Sequence, residues 1–171
     1  MNNPTLYIFV GYPGSGKTTL SKLIHEQTGA VHIWADHERH LEFSPVTYSH
    51  IESEALYNRL NSLCEQYLSE GKSVIYDTNF NFFLDRQLMR NIAKKHNANI
   101  RLIWMTTPTE VAKVRATTEE DLSDTRVFGI MKDEDFKRIS NHLEKPHPDE
   151  KPLKIDGTAI NESTLKQVLE N

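Results

Sequence analysis

The sequence contains little that marks a secreted or membrane protein. Cys64 is its only cysteine, so no intrachain disulfide can form. No apolar run approaches the roughly 20 residues that cross a bilayer. Met1 to Thr5 also lack the basic start and apolar stretch of a secretory signal. We therefore expect a cytoplasmic protein that does not span a membrane, with Cys64 as a small core residue among leucines at helical spacing.

Basic residues are not in excess either. Lys and Arg number 20 against 24 Asp and Glu, which gives a net charge of -4. A long nucleic-acid duplex is not an expected partner, because binding a duplex usually needs a basic surface that releases counterions. A short or single nucleotide is compatible, since a local group of Arg or Lys in a cleft suffices. With 171 residues, the chain suits a single domain over 1–171.

What the sequence does contain is a complete phosphate-binding loop pattern. Residues 11–18 read Gly-Tyr-Pro-Gly-Ser-Gly-Lys-Thr and fill every fixed position of G-x-x-x-x-G-K-[ST]. The apolar run 6–10 predicts a buried strand before the loop, and residues 17–28, followed by Gly29, predict a helix after it. A glycine-rich turn is the plain alternative, but the complete pattern in this order favours a nucleoside triphosphate site.

Each loop position has a chemical role in such a site. Gly14 and Gly16 allow backbone amides to turn inward around phosphate oxygens. Lys17 is expected to reach the β and γ phosphates, and the Thr18 hydroxyl to ligate Mg²⁺. ATP and Mg²⁺ are therefore the predicted cofactors. The predicted ATP-binding residues of this stretch are Gly11, Pro13, Gly14, Ser15, Gly16, Lys17, Thr18 and Thr19.

The rest of the chain alternates short apolar runs with amphipathic segments. This alternation predicts an α/β fold with a parallel sheet of five strands and helices on both faces. The second strand leads to Asp36 and the third to Asp77. Both carboxylates are therefore expected at the edge of the sheet where ligands bind. Asp77 is predicted to act at Mg²⁺ through water.

Several helix predictions depend on particular residues. Ser49 and Glu52 form a capping-box pattern before a long helix that ends near Gly71, and Thr107 and Glu110 form a second one. Two further helices, one from residue 84 to 97 and one after Pro108, are each expected to bury an apolar face. Their predicted core residues are Leu84, Leu88, Met89, Ile92 and Ala93 in the first, and Val111, Ala112 and Val114 in the second.

Three motifs together resemble a known family. They are the phosphate-binding loop, Asp36-x-x-Arg39 after the second strand and Asp77-Thr78-Asn79 after the third. This combination is similar to the small P-loop kinases typified by the polynucleotide 5′-hydroxyl kinase domain, with zeta-type toxins and chloramphenicol phosphotransferase as more distant relatives among AAA-type ATP-binding proteins. The resemblance implies a three-layer P-loop NTPase fold with sheet order 2-3-1-4-5 and a short lid.

The resemblance also implies roles for residues on the acceptor side. Asp36 matches the carboxylate that takes the proton from the acceptor hydroxyl, and Arg39 matches the arginine that holds the acceptor. Asn79 matches an acceptor-side, substrate-binding position. Reasoning from the residues agrees for Asp36, because the acceptor oxygen must lie in line with the γ phosphate and a carboxylate at the end of the neighbouring strand is suited to act as its base.

The lid is the part of the sequence that departs from the family. Residues 117–124 are polar and acidic without a period, which is typical of a mobile segment over the nucleotide. The family carries arginines there that grip the triphosphate, and Arg115 and Arg126 are the candidates in this chain. The acidic run 119–121 lies between them. It is compatible with a weaker grip, with closure only when substrate neutralises it, or with a solvated loop.

These roles have structural alternatives. The sequence is also compatible with Asp36 as a helix cap, Arg39 as a surface ion-pair partner and Asn79 as a turn residue. His37 and His40 lie near Asp36, but their spacing matches no established zinc pattern.

The sequence therefore predicts an ATP-dependent kinase with Lys17, Asp36 and Arg115 as catalytic residues. Its acceptor is a hydroxyl of a nucleic-acid 5′ end or of a small molecule, chosen by residues 37–50. An ATP-hydrolysing switch or assembly protein without an acceptor is the alternative. Asp36 favours the kinase, because a switch has less need of a base beside the γ phosphate.

Overall fold

The fold is a five-stranded sheet between helices, and the computed structural model describes residues 3–118 and 129–170. The strands are Thr5–Val10 (β1), Val31–Trp34 (β2), Val74–Asp77 (β3), Asn99–Met105 (β4) and Leu153–Ile155 (β5). The α-helices are Lys17–Thr28 (α1), Ala35–Glu42 (α2), His50–Ser69 (α3), Phe83–Lys95 (α4), Thr109–Thr117 (α5), Asp133–Asn141 (α6) and Glu162–Glu170 (α7). A single 3₁₀ turn covers Pro148–Glu150 among these residues.

The sheet is parallel throughout, with the order β2-β3-β1-β4-β5. The predicted three-layer fold and strand order are therefore confirmed. β1 lies at the centre, between β3 and β4, so the loop that follows it emerges at the middle of the carboxyl edge. Central parallel strands are covered on both faces, which agrees with the fully buried apolar run over residues 6–10.

Two hydrophobic layers enclose the sheet. Helices α3 and α4 pack on one face around Leu56, Leu60, Cys64, Leu68, Met89 and Ile92. Helices α1 and α7 pack on the other around Leu20, Ile24 and Val168. Cys64 is fully buried, as predicted for a core residue. Within residues 3–118 and 129–170 no helix combines the length and the apolar character needed to span a bilayer.

The predicted apolar face of α4 is partly wrong. Leu84 is 77% exposed and Leu88 is 45% exposed, so neither belongs to the core. The buried face instead includes the guanidinium of Arg86, whose Nε and Nη2 donate to the two Glu150 carboxylate oxygens at 2.8 and 2.9 Å. A buried bidentate ion pair turns α4 away from the face that apolar spacing alone predicts.

The face of α5 differs in a similar way. Ala112 and Ala116 are buried, whereas Val114 is 46% exposed. The two alanines pack with Phe136 of α6 in a small separate cluster. Small residues let α5 approach the phosphate-binding loop closely, so the larger valine faces outward.

Candidate functional site

The phosphate-binding loop lies between β1 and the N-terminus of α1, where the amides of a helix start favour an anion. Gly14 has φ +76° and Gly16 has φ +96°, both in the left-handed region that other residues rarely adopt. A Cβ on Gly14 would also collide with the Ala112 carbonyl oxygen of α5. The loop therefore has the backbone shape that the sequence pattern predicts.

Lys17 lies inside this loop. Its Nζ donates to the carbonyl oxygens of Gly11 at 3.1 Å and Tyr12 at 2.7 Å, and to Ser15 Oγ at 3.4 Å. Desolvation lowers the pKa of Lys17 to about 8, although the nearby Asp77 and Asp36 carboxylates oppose the shift. Neutral oxygens thus hold the Lys17 ammonium at the loop. A phosphate oxygen can take the place of one of them and accept a charge-assisted hydrogen bond from the ammonium.

The first amide of the loop is fixed by a residue from a distant segment of the chain. Asn81, in the segment between β3 and α4, is buried, and its Oδ1 accepts a hydrogen bond from the Gly11 amide at 3.2 Å. The Asn81 carbonyl accepts from the Glu144 amide at 2.9 Å. Arg86 Nη1 donates to the Phe80 and Glu144 carbonyls. A buried network therefore fixes the side chain that supports the start of the loop.

A second support reaches the middle of the loop from the end of β4. The buried Thr107 hydroxyl donates to the Ser15 carbonyl at 2.8 Å and accepts from the Gly157 amide at 3.1 Å. Thr107 therefore does not form the predicted capping box: α5 begins at Thr109 after Pro108, and no side chain caps it. The Thr107 hydroxyl instead links Ser15 of the loop to Gly157 in the turn after β5.

Thr107→Val is expected to lower the free energy of unfolding by about 1–3 kcal/mol, the cost of leaving buried polar groups unpaired. The substitution keeps the side-chain shape but removes both hydrogen bonds to Ser15 and Gly157. Denaturant unfolding followed by circular dichroism measures the change. Thr109→Val, at the exposed first residue of α5, is the matched control and should change the stability by less than about 0.5 kcal/mol. Equal losses in both variants would contradict the bridging role of Thr107.

Asp36 lies in the first turn of α2 with its side chain exposed. The helix is preceded by Trp34 and no side chain caps it, so Asp36 is not a helix cap. Desolvation, followed by the charge of Asp77, raises the pKa of Asp36. The positive groups that oppose this shift are Lys17, Arg39 and His40. Asp36 therefore lies within electrostatic reach of both Lys17 and Asp77, as the sheet edge predicts.

Asp77 ends β3 and is buried. Its Oδ2 lies 3.1 Å from His32 Nε2 on the neighbouring strand β2. The Asp77 carboxylate and the half-buried hydroxyl of Thr18 provide the hard oxygen ligands that Mg²⁺ prefers. The donor chemistry of these two residues fits the predicted magnesium site.

Arg39 is one helical turn beyond Asp36 but faces the protein interior. It is 4% exposed, and its Nη1 donates to Glu52 Oε1 of α3 at 2.6 Å. The guanidinium also lies 5.0 Å from the ring centroid of Tyr48 and 5.9 Å from that of Tyr57. The alternative of a surface pair between Arg39 and Asp36 is therefore wrong, because Arg39 forms a buried ion pair with Glu52.

The remaining predicted site residues differ in how close they come to the loop. Arg115, near the end of α5, donates from Nη1 to the Gly157 carbonyl at 2.9 Å, next to the turn that Thr107 joins to the loop. Pro13 is half-buried in the loop, whereas Thr19 is exposed on α1. Asn79 is exposed beyond β3. Arg126 and the acidic run 119–121 lie outside the described residues.

Sequence reasoning did not identify three residues that shape the site. Asn81 stands in a polar and aromatic segment without a period, and nothing in the sequence links it to Gly11. The sequence pattern predicts a capping box at Glu52, and only half of it forms: Ser49 Oγ accepts from the Glu52 amide at 3.2 Å, while the Glu52 carboxylate accepts from Arg39. The pattern around Thr107 likewise predicts a helix cap. Only contacts between distant segments reveal these roles.

Comparisons with solved structures agree with this fold. The solved structure of Chaetomium thermophilum Kti12 in complex with ADP-AlF3 has a TM-score of 0.74 at 17% identity, covering 98% of this chain and 96% of that one. A putative kinase from Chloroflexus aurantiacus has a TM-score of 0.71 at 23% identity, with 99% and 96% covered. Mycobacterium tuberculosis APS kinase in complex with AMPPNP and APS has a TM-score of 0.69 at 17% identity, with 98% and 96% covered.

The sequence comparisons give a family. Curated protein sequences provide no match to this chain. The family described as AAA domain matches residues 6–144, which include the phosphate-binding loop, Asp36, Arg39 and Asp77. Because this match covers most of the sequence, the chain belongs to the AAA domain family, and its fold is that of the P-loop kinases.

Proposed function

We propose that the protein is a Mg²⁺-dependent phosphotransferase that moves the γ phosphate of ATP to a hydroxyl group. The observation that carries this proposal is the position of Asp36, an exposed carboxylate within electrostatic reach of Lys17 and Asp77. A protein that only binds or hydrolyses ATP has less use for an accessible base at this point. The acceptor is the hydroxyl of a nucleic-acid 5′ end or of a small molecule.

Each residue has a defined part in this transfer. The loop amides and Lys17 bind the β and γ phosphates, and Lys17 stabilises the charge that develops during transfer. Thr18 and Asp77 would hold Mg²⁺, Asp77 through water, and the bound ion would neutralise phosphate charge. Asp36 accepts the proton of the acceptor hydroxyl as the acceptor oxygen bonds to the γ phosphorus, and the bond from that phosphorus to the β–γ bridging oxygen breaks and releases ADP. Arg115, together with Arg126, is proposed to contact the triphosphate.

The raised pKa of Asp36 suits the role of a base. A carboxylate whose pKa is well below neutrality accepts a proton weakly, whereas desolvation and the nearby Asp77 charge increase its proton affinity. The positive groups Lys17, Arg39 and His40 oppose this rise in the pKa of Asp36.

Transfer of labelled phosphate tests the proposal directly. The protein is incubated with ATP labelled at the γ position, Mg²⁺, and 5′-hydroxyl oligonucleotides, nucleosides or sugars. The expected result is a labelled acceptor and ADP in equal amounts. Release of free phosphate at the same rate with and without every acceptor would favour the ATP-hydrolysing switch instead.

Asn81→Ala is expected to weaken ATP affinity about tenfold, since the Gly11 amide loses its buried acceptor and the start of the loop is no longer fixed. Calorimetric titration with a non-hydrolysable ATP analogue measures this loss. Asn91→Ala makes the same change at an exposed position of α4 and should leave the affinity within about twofold. An unchanged affinity in folded Asn81→Ala would show that Asn81 does not position the loop.

A further inference from the structure

His32 of β2 contacts the carboxylate that is predicted to act at Mg²⁺. Its Nε2 lies 3.1 Å from Asp77 Oδ2, and the two side chains are only 13% and 3% exposed. An ionised carboxylate can only accept a hydrogen bond, so Nε2 carries the proton and donates it. The contact is largely shielded from water, where a charge-assisted hydrogen bond is strong enough to fix the orientation of a carboxylate.

The register of the sheet places both side chains on the face that α1 covers. β2 and β3 run parallel, and His32 lies opposite Ile75. Trp34, two residues further along β2, lies opposite Asp77. Paired residues of neighbouring strands point to the same face of a sheet, as do residues two apart on one strand. Because Ile75 packs in the hydrophobic layer of α1 and α7, His32 and Asp77 lie beneath the helix that follows the phosphate-binding loop.

Neighbouring aromatic rings hold the His32 imidazole in its orientation. The Trp34 indole is nearly parallel to it, with 6.1 Å between the ring centroids and 7° between the ring planes. His25 of α1 contributes a second ring, whose centroid lies 6.4 Å from that of His32. The imidazole is therefore packed between its own strand and α1, which gives its Nε2 proton a fixed direction toward Asp77.

Asp77 also lies within electrostatic reach of a cation that is needed elsewhere. Desolvation lowers the pKa of Lys17, and the charge of Asp77 opposes this shift. A carboxylate that turned to Lys17 would occupy the ammonium that is expected to bind the β and γ phosphates. In the structure Lys17 Nζ donates to the neutral carbonyl oxygens of Gly11 and Tyr12, while Asp77 Oδ2 lies against His32. The bond from His32 therefore favours the arrangement in which both charges remain available to the ligand.

We infer that His32 is a positioning residue for the magnesium site: its Nε2 proton holds Asp77 Oδ2, so that the carboxylate keeps Oδ1 for the water shell of the ion. The inference rests on the proposed function and adds a residue that lies outside the three motifs of the sequence. Carboxylates at metal sites are usually held by such outer partners, whose loss lowers metal affinity or activity about 10–100-fold.

Titration with Mn²⁺ as the probe tests this role without any acceptor. The protein is bound to a non-hydrolysable ATP analogue, and electron paramagnetic resonance measures the free ion. His32→Leu removes the donor and is expected to weaken Mn²⁺ affinity at least about tenfold. The affinity for the analogue in EDTA should stay within about twofold, because His32 acts on the ion and not on the phosphates. Unchanged Mn²⁺ affinity in folded His32→Leu would overturn the inference.

The conservative variant separates the hydrogen bond from the packing of the ring. The side-chain amide of His32→Gln can donate from nearly the same place as Nε2, so Mn²⁺ affinity should return to within about threefold of the wild type. His25→Leu is the matched control, because it removes an exposed ring beside His32 that does not bond to Asp77. It should keep the affinity within about twofold. Equal losses in His25→Leu and His32→Leu would contradict the assignment.

A double-mutant cycle tests whether His32 acts through Asp77. Asp77→Asn removes the charged acceptor of the hydrogen bond, and it should itself weaken Mn²⁺ affinity. When His32→Leu is added to this variant, the affinity should fall by less than about twofold more, since the interaction is already lost. A further tenfold loss, about the size expected for His32→Leu alone, would show that His32 supports the site by another route and would overturn the inference.

A measurement on the unmodified protein does not depend on the folding of a variant. Nitrogen NMR of the imidazole rings distinguishes a protonated from an unprotonated Nε2. The His32 signal, identified by its loss in His32→Gln, should show a protonated Nε2 whose proton exchanges slowly with water. An unprotonated Nε2, or a wild-type complex that binds no Mn²⁺, would overturn the inference. If both measurements agree with it while no acceptor is phosphorylated, the proposed function fails and the inference holds for Mg²⁺-ATP binding alone.

Discussion

Lys17→Ala is expected to reduce ATP-dependent phosphoryl transfer by a hundredfold or more, on the order of what one preorganised electrostatic group contributes. The ammonium lies among the carbonyl oxygens of Gly11 and Tyr12 in the loop, and Lys17 is not among the described residues that form the two hydrophobic layers. Alanine therefore removes the charge directed at the β and γ phosphates without disturbing the hydrophobic layers. Single-turnover transfer measures the loss, and calorimetry with an ATP analogue measures how much of it is binding.

The fold of this variant should survive. Desolvation already disfavours the charged form of Lys17, since its pKa is lowered to about 8, so the nucleotide-free protein gains little from the charge. A thermal midpoint near that of the wild type is the expected control result. Lys22→Ala makes the same change one and a half turns further along α1, where the ammonium lies over the Trp34 ring, and should reduce transfer far less. Unchanged transfer in folded Lys17→Ala would refute the assignment of the phosphate-binding loop.

The fold was largely predictable from the sequence because its strongest signals are local. The apolar runs of the strands, the glycines of the loop and the start and end of α1 are each encoded within a few neighbouring residues. The strand order is not local, and it followed only from the resemblance to P-loop kinases. Positions at the carboxyl ends of β2 and β3 were also predictable, since parallel strands deliver the residues that follow them to the same edge.

The supports of the site were not predictable, because each depends on contacts between segments far apart in the sequence. Thr107 and Glu52 both stand where a helix cap is expected, and a local pattern cannot show that tertiary partners compete for the same oxygens. Arg86 interrupts the apolar period of α4. It can be buried there because Glu150, 64 residues away in the sequence, balances its charge. Nothing near Arg86 in the sequence indicates that partner.

These supports have a common consequence for function. Asn81 fixes the first amide of the phosphate-binding loop, and Thr107 fixes the Ser15 carbonyl. Both side chains lie in the segments that follow the strands flanking β1, so residues beyond β3 and β4 set the shape of the loop. A rigid loop loses little entropy when it binds phosphate. The acceptor side is proposed to lie instead at helices α2 and α3 and the segment between them, where a change of residues would leave these supports of the phosphate-binding loop in place.

Asp36→Asn is expected to separate ATP binding from phosphoryl transfer. The phosphate-binding loop, Lys17, Thr18 and Asp77 remain in this variant, so Mg²⁺-dependent ATP affinity should stay close to that of the wild type. Transfer to the acceptor should fall by roughly 10² to 10⁴, the usual contribution of a positioned base. Calorimetric titration with an ATP analogue and Mg²⁺ measures the affinity. Single-turnover transfer to the best of the tested oligonucleotides, nucleosides and sugars measures the rate of transfer.

The amide is a sharp test because it changes chemistry without changing shape. Asp36 is exposed in the first turn of α2 and caps no helix, so a packing defect does not account for a large loss. Glu38→Gln is the matched control: it lies two residues further along the same helix, pairs with Arg59 at the surface, and should keep transfer within about twofold, since exposed ion pairs contribute little. If Asp36→Asn loses Mg²⁺-ATP affinity in proportion to its activity, Asp36 belongs to the metal site and the base is another residue. If affinity is retained while transfer falls, the exposed carboxylate beside Lys17 is the group that takes the acceptor proton.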